Sequence, residues 1–116
     1  MKNKATIPSI GRPVRGSKSG RPIMAALDLL GRRGTLRIIW ELSHKTLTFR
    51  LLQAAADTNP AVLNTRLKEL RASGLVLHDG KGYSLTPLGR ELEEILMPFS
   101  AWAAKWEKSI ARGAPL

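Results

Sequence analysis

The sequence predicts a mainly α-helical domain with one small β-hairpin. Three observations predict it: a helix marked at both ends between Asn59 and Gly74, a hairpin directly after it, and a long one-sided apolar stretch near the C-terminal end. In NPAVLNTRLKELRASG, Asn59 is a good N-cap and Pro60 falls at the first helical position, where its missing donor costs nothing. Leu63, Leu67 and Leu70 make one apolar stripe, while Ala61, Asn64, Thr65, Lys68 and Ala72 fall opposite at about 100° per residue. Gly74 supplies a left-handed C-cap. The apolar run Leu75 to His78, the turn residues Asp79 to Gly82 and the second run Tyr83 to Leu85 then read as a hairpin with a basic tip. A capped helix followed by a basic hairpin is the pattern of a winged helix.

Composition bounds the function. A chain of 116 residues with 43% hydrophobic content builds one domain with a modest core, and it lacks the run of about eighteen apolar residues that a membrane span needs. No membrane partner is expected. The net charge of +10 points to a polyanion, most often nucleic acid. Cysteine is absent, which excludes disulfides, thiolate metal sites and thiol chemistry and is compatible with the cytoplasm. The basic N-terminus has no apolar segment of the secretory type, so a cytoplasmic location is expected.

Taken in order, residues 1–20 combine Gly and Pro with basic residues and little apolar content, and are expected to be a disordered basic arm, with the winged-helix domain over 21–116. Such an arm either is a plain leader or lies along DNA. A first helix follows Arg21-Pro22, with Ile23, Ala26, Leu27 and Leu30 on one side and Gly31 as its stop. A second begins near Thr35, and the density of Leu36, Ile38, Ile39 and Leu42 makes it a core element. Thr46 to Phe49 leads as a short extended stretch into a third helix, Phe49 to Ala56, capped by Thr48. Asp57-Thr58 links it tightly to the Asn59 helix, which completes a helix-turn-helix.

After the hairpin, Thr86-Pro87 again pairs an N-cap with a first-turn proline, and Glu91, Glu93 and Glu94 lie towards the positive end of that helix's dipole. Leu88, Leu92, Ile95, Phe99, Trp102 and Trp106 step by 4, 3, 4, 3 and 4 residues, a heptad-like seam that so small a domain can hardly cover alone. The expectation is a dimerisation helix over about 87–110, a homodimer, and a bend or division at Pro98. The alternative is that the seam docks back on its own domain.

The strings Leu63-Asn64-Thr65-Arg66-Leu67-Lys68-Glu69-Leu70, Gly74-Leu75-Val76, and Tyr83-Ser84-Leu85-Thr86 with Gly89 and Trp102 resemble the HxlR-type winged-helix transcriptional regulators, relatives of the MarR group. The resemblance covers roughly residues 21–107 and implies a homodimer on a pseudo-palindromic operator. The chain departs from the family pattern at three places. Arg21 stands where relatives usually have a cysteine, which excludes the thiol-based sensing proposed for some of them. Gly34 stands where a tryptophan is common, so a small cavity or altered packing of the Trp40 helix is expected. The turn over Asp79 to Gly82 is short, so wing contacts should be fewer.

In the major groove, base edges are within reach of Pro60, Ala61, Asn64, Thr65 and Lys68. Asn64 can pair bidentately with adenine, Thr65 and Ala61 can touch a thymine methyl, and Lys68 can reach guanine or phosphate. Arg50 and Arg66 are candidates for phosphate, and Lys81 at the wing tip for backbone or minor groove. Arg71 either pairs with Glu94 or stays solvated, and the solvated reading is preferred. Trp40, Phe99 and Trp102 between seam and reading unit are candidates to line an effector crevice for a small apolar ligand, and plain core packing is the preferred reading of the same residues.

These expectations describe a double-stranded DNA-binding transcriptional regulator, a repressor acting as a homodimer. The alternative is a nonspecific basic protein associated with nucleoid or RNA. An RNA binder would want exposed aromatics, and only six aromatic residues exist, most better placed in core or seam. A winged helix used only for protein contact is disfavoured by its basic outer face. Catalysis has little to stand on: His44 and His78 are the only histidines, and neither has a cysteine partner or a zinc-protease spacing. No P-loop or dinucleotide fingerprint occurs, and neither a cofactor nor a metal is expected.

Overall fold

The computed structural model describes residues 7–8, 10–11 and 20–113, so the expected basic arm lies mostly outside the described residues. Among the described residues, six helices and one hairpin follow in order: α1 Pro22–Leu30, α2 Thr35–Glu41, α3 Phe49–Ala56, α4 Pro60–Ala72, β1 Val76–Asp79, β2 Gly82–Leu85, α5 Pro87–Leu96 and α6 Pro98–Ala111. It is a winged helix-turn-helix, mainly helical with one antiparallel hairpin.

Local chemistry fixes the helix starts. Asn59 accepts from the Val62 N–H at 2.9 Å, Thr48 from Leu51 at 3.3 Å and Thr86 from Gly89 at 3.0 Å. At the end of α4, Gly74 has φ +82°. This left-handed turn lets Leu75 donate to the Leu70 carbonyl at 2.9 Å and Gly74 to that of Arg71 at 3.1 Å, the bond pair of a Schellman motif. Thr86 ties this end to the start of α5, since its hydroxyl donates to the Gly74 carbonyl at 2.6 Å. Gly89 permits the same approach: a Cβ there would lie 2.2 Å from the Leu75 carbonyl oxygen.

One core joins the elements. Ile38, Ile39, Leu42, Leu52, Leu63, Leu67 and Leu70 are each at most 2% exposed, and Leu29, Ala56, Leu75, Val76 and Leu85 complete the cluster. At about 25 cal/mol per Å² this shared burial is the main force holding α4 against α2 and α3. The wing pairs Val76 with Leu85 through to Asp79 with Gly82, and its two-residue tip is closed by the Asp79 carboxylate accepting from the Lys81 N–H at 2.8 Å. The extended stretch before α3 joins it. Leu47 and Tyr83 exchange backbone hydrogen bonds of 3.0 and 2.7 Å, and Gly82 has no side chain to obstruct this edge.

Two expectations are corrected. In α1 the inward residues are Ala25 and Leu29, whereas Ile23 and Leu27 remain 57% and 54% exposed. Apolar residues surround α1, so periodicity alone does not select its face. In α2, Leu36 and Trp40 are 42% and 45% exposed despite the density of apolar residues around them. Gly34 has φ +87°, and a Cβ there would meet nothing nearer than a Val62 methyl at 3.9 Å. It is a left-handed N-cap of α2, a conformation that glycine adopts without strain. Pro98 divides the C-terminal helix in two at Met97, as its missing donor requires.

Candidate nucleic-acid interface

The burial of α4 separates its two faces. Leu63, Leu67 and Leu70 lie in the core, while Pro60, Ala61, Asn64, Thr65 and Lys68 are all exposed. Asn64 and Lys68 have no side-chain partner among the described residues. The Thr65 hydroxyl donates back to the Ala61 carbonyl at 3.0 Å, which leaves its methyl group as the outer surface. The structure therefore brings all five expected base-reading residues onto one open surface. Arg50 on α3 and Lys81 at the wing tip are exposed as well, and so is Arg71.

Arg66 departs from expectation. Its Nη1 pairs with the Glu69 carboxylate one turn on, and its Nε donates to the Arg33 carbonyl at 2.9 Å. The side chain is only 18% exposed, so Arg66 is a strut between α4 and the turn after α1 instead of a free cation for phosphate. Glu69 is the centre of this strut. Its other carboxylate oxygen pairs with Arg32 at 2.8 Å, and Arg32 reaches back to Asp28 at 3.3 Å. Sequence reading overlooked this network because its key pair spans 37 positions. It also overlooked Arg33, an exposed cation whose backbone abuts α4. The double arginine between Gly31 and Gly34 was the available signal.

The seam is open to solvent along most of its length. Leu88, Ile95, Phe99, Trp102 and Trp106 are 51% to 74% exposed, and α6 buries none of its residues. The seam does not dock back on its own domain. Leu92 is the exception, packed against the core. Phe99, Trp102 and Trp106 stack in a ladder with centroids 5.5 and 5.6 Å apart, exposing one aromatic face. Beside it, a crevice of about 110 Å³ is lined by Leu36, Ile39, Trp40, Glu93, Leu96, Met97 and Phe99. Of the three residues proposed to line an effector crevice, Trp40 and Phe99 line this one and Trp102 lies outside it.

Among the described residues no cluster of three or more His, Asp or Glu side chains is placed to hold a metal ion, and no helix is long and apolar enough to cross a membrane. His78 stacks on Tyr83 across the hairpin at 4.0 Å, a structural contact.

Comparison with known proteins covers most of this architecture. Residues 29–111 match the family model described as HxlR-like helix-turn-helix. An uncharacterized HTH-type transcriptional regulator of Methanocaldococcus jannaschii is 31% identical over 91 residues, 74% of this chain and 86% of that protein. The uncharacterized HTH-type transcriptional regulator YvaP of Bacillus subtilis is 35% identical over 89 residues, 70% of this chain and 82% of its own length. Among solved structures, that of quinone-bound YodB from B. subtilis superposes with a TM-score of 0.65 at 30% identity, covering 72% of this chain and 97% of YodB.

Proposed function

Because the chain belongs to the HxlR-like helix-turn-helix family, we propose that it is a homodimeric, sequence-specific transcriptional repressor that inserts α4 into the major groove of a pseudo-palindromic operator. The observation that carries this reading is the division of α4 into a fully buried leucine stripe and an open polar face. A helix held so firmly from behind presents Asn64 and its neighbours as a rigid surface, the arrangement that direct base readout needs. The exposed Arg50, Arg33 and Lys81 supply phosphate contacts, which position the protein without reading sequence. The seam over α5 and α6 pairs two copies, and its exposed aromatic ladder is the patch that a second copy covers.

The crevice between α2 and the α5–α6 junction is the effector site of the same reading, supported by its mostly apolar lining and by the quinone bound to YodB. A ligand there sits where the reading unit meets the seam, so it biases the spacing of two recognition helices through differential affinity for the two spacings.

Selection from a random duplex pool tests the proposal, followed by titration against a scrambled duplex and an RNA of equal length. A two-fold-symmetric motif bound far more tightly than scrambled duplex or RNA is expected. Equal binding of all three would assign the chain to nonspecific basic proteins instead.

A further inference from the structure

A hollow of about 480 Å³ opens between the end of α2, β2 and the start of α5, and it shares no lining residue with α4 or with the crevice at the α5–α6 junction. It exists because the chain meets β2 late. Leu47 bridges to Tyr83, but three residues earlier His44 adopts φ +58° and the Lys45 N–H returns to the Leu42 carbonyl at 3.3 Å, so no bridge continues from residues 44–46 to Ser84 and Leu85. The polar lining consists of His44, Lys45, Thr46, Ser84 and Arg90, all capable of donating hydrogen bonds, and it contains no carboxylate. Among the described residues none of these side chains has a hydrogen-bond or ion-pair partner. The case of Arg90 is informative. Arg37 and Glu41, four residues apart on one helix, pair at 2.7 Å, whereas Arg90 and Glu94 at the same spacing form no pair.

We propose that this hollow binds the phosphate group of a small phosphomonoester, with Lys45 and Arg90 supplying the charge and the Thr46 and Ser84 hydroxyls donating to its oxygens. Two cations on one concave lining repel each other until an anion lies between them. A monoester phosphate carries a charge of about −1.5 to −2 at neutral pH and presents three acceptor oxygens, which matches two cations and a lining of donors. A carboxylate offers one charge and two oxygens and leaves part of that lining unmatched. The Arg90 guanidinium can engage two phosphate oxygens at once, and Lys45 serves as a point charge. The volume leaves room beside the phosphate for a small organic body. The backbone of bound DNA suits the place less well. A phosphodiester has a single charge, and Leu85 lies roughly 10 Å along β2 from Gly82 beside the wing tip.

The test titrates the full chain with glycerol phosphate and with dimethyl phosphate, a monoester and a diester, and follows backbone amide resonances. Saturable shifts centred on Lys45, Thr46, Ser84 and Arg90 are expected with glycerol phosphate, and clearly weaker binding with dimethyl phosphate. Lys45 and Arg90 are exposed, so Lys45→Gln and Arg90→Gln should fold as wild type does. Each is expected to lower the affinity for glycerol phosphate about tenfold or more, as loss of a charged hydrogen bond implies. Arg71→Gln removes the same charge from an exposed position outside the hollow and should leave that affinity unchanged. An equal loss in Arg71→Gln, or shifts that spread over many cations without saturating, would overturn the site in favour of a general effect of net charge. Equal affinity for the two esters, with weaker duplex binding of any sequence by Lys45→Gln and Arg90→Gln, would overturn it in favour of a DNA backbone contact.

Discussion

Replacing Glu69 with alanine should be among the most damaging substitutions in the domain, although Glu69 sits one turn from exposed residues of the recognition helix. The Glu69 side chain is 7% exposed, and its partners Arg32 and Arg66 are 12% and 18% exposed, so the ion pairs lie largely out of water. Alanine leaves two guanidinium groups without their shared carboxylate. Breaking a buried pair by removing one partner costs about 3 to 5 kcal/mol. Domains of this size have total stabilities of roughly 5 to 15 kcal/mol, so the loss removes a large fraction of the margin. Glutamine keeps the shape but turns an amide N–H towards one arginine, and a loss smaller than that of alanine is expected. Urea unfolding at fixed protein concentration measures both variants, because the apparent stability of the proposed dimer would depend on concentration. Raising the salt should change the Glu69→Ala penalty little, since buried pairs are weakly screened. A penalty below about 1 kcal/mol, the range of exposed pairs, would refute the assignment of Glu69 as the internal anchor of α4.

Other outcomes follow from the same geometry. Asn64→Ala should lower affinity for the selected operator by about 1 to 3 kcal/mol in a mobility-shift titration, with urea stability unchanged because the side chain is exposed and unpaired. Lys81→Ala should weaken binding to all duplexes and flatten the dependence of affinity on salt by about one phosphate contact, and a loss confined to one sequence would count against it. Ile95→Glu, at the most exposed position of the seam, should yield folded monomers in sedimentation and an operator affinity reduced by orders of magnitude. Gly89→Ala should destabilise the domain, because its Cβ would lie 2.2 Å from the Leu75 carbonyl oxygen and something must shift. Wild-type stability in that variant would contradict the tight junction of α5 with the end of α4.

Much of the fold was legible because it is written locally. Asn59-Pro60, Thr48 and Thr86-Pro87 mark helix starts by chemistry within three residues, and each cap bond is present. Gly74 and the Gly80-Lys81 tip are equally local. The outer face of α4 was legible for a related reason: one buried stripe leaves only one opposite side. What escaped depends on neighbours distant in sequence. Arg66 looks like a surface cation until Arg33 and Glu69 enclose it. Glu93 looks like one more solvated acid near the positive end of a helix until Leu36 and Trp40 of α2 close over it. The apolar residues of α1 surround the helix, so only packing against α2 decides that Ala25 and Leu29 turn inward.

The most direct measurement is a repeated selection from random duplexes with wild type and with Asn64→Ala in parallel. If α4 reads bases in the major groove from a symmetric dimer, wild type selects two inverted half-sites with centres about 34 Å apart or a multiple of that. The variant then loses preference at one position in each half and keeps the spacing. Identical motifs from both proteins, or no motif from wild type, would contradict it.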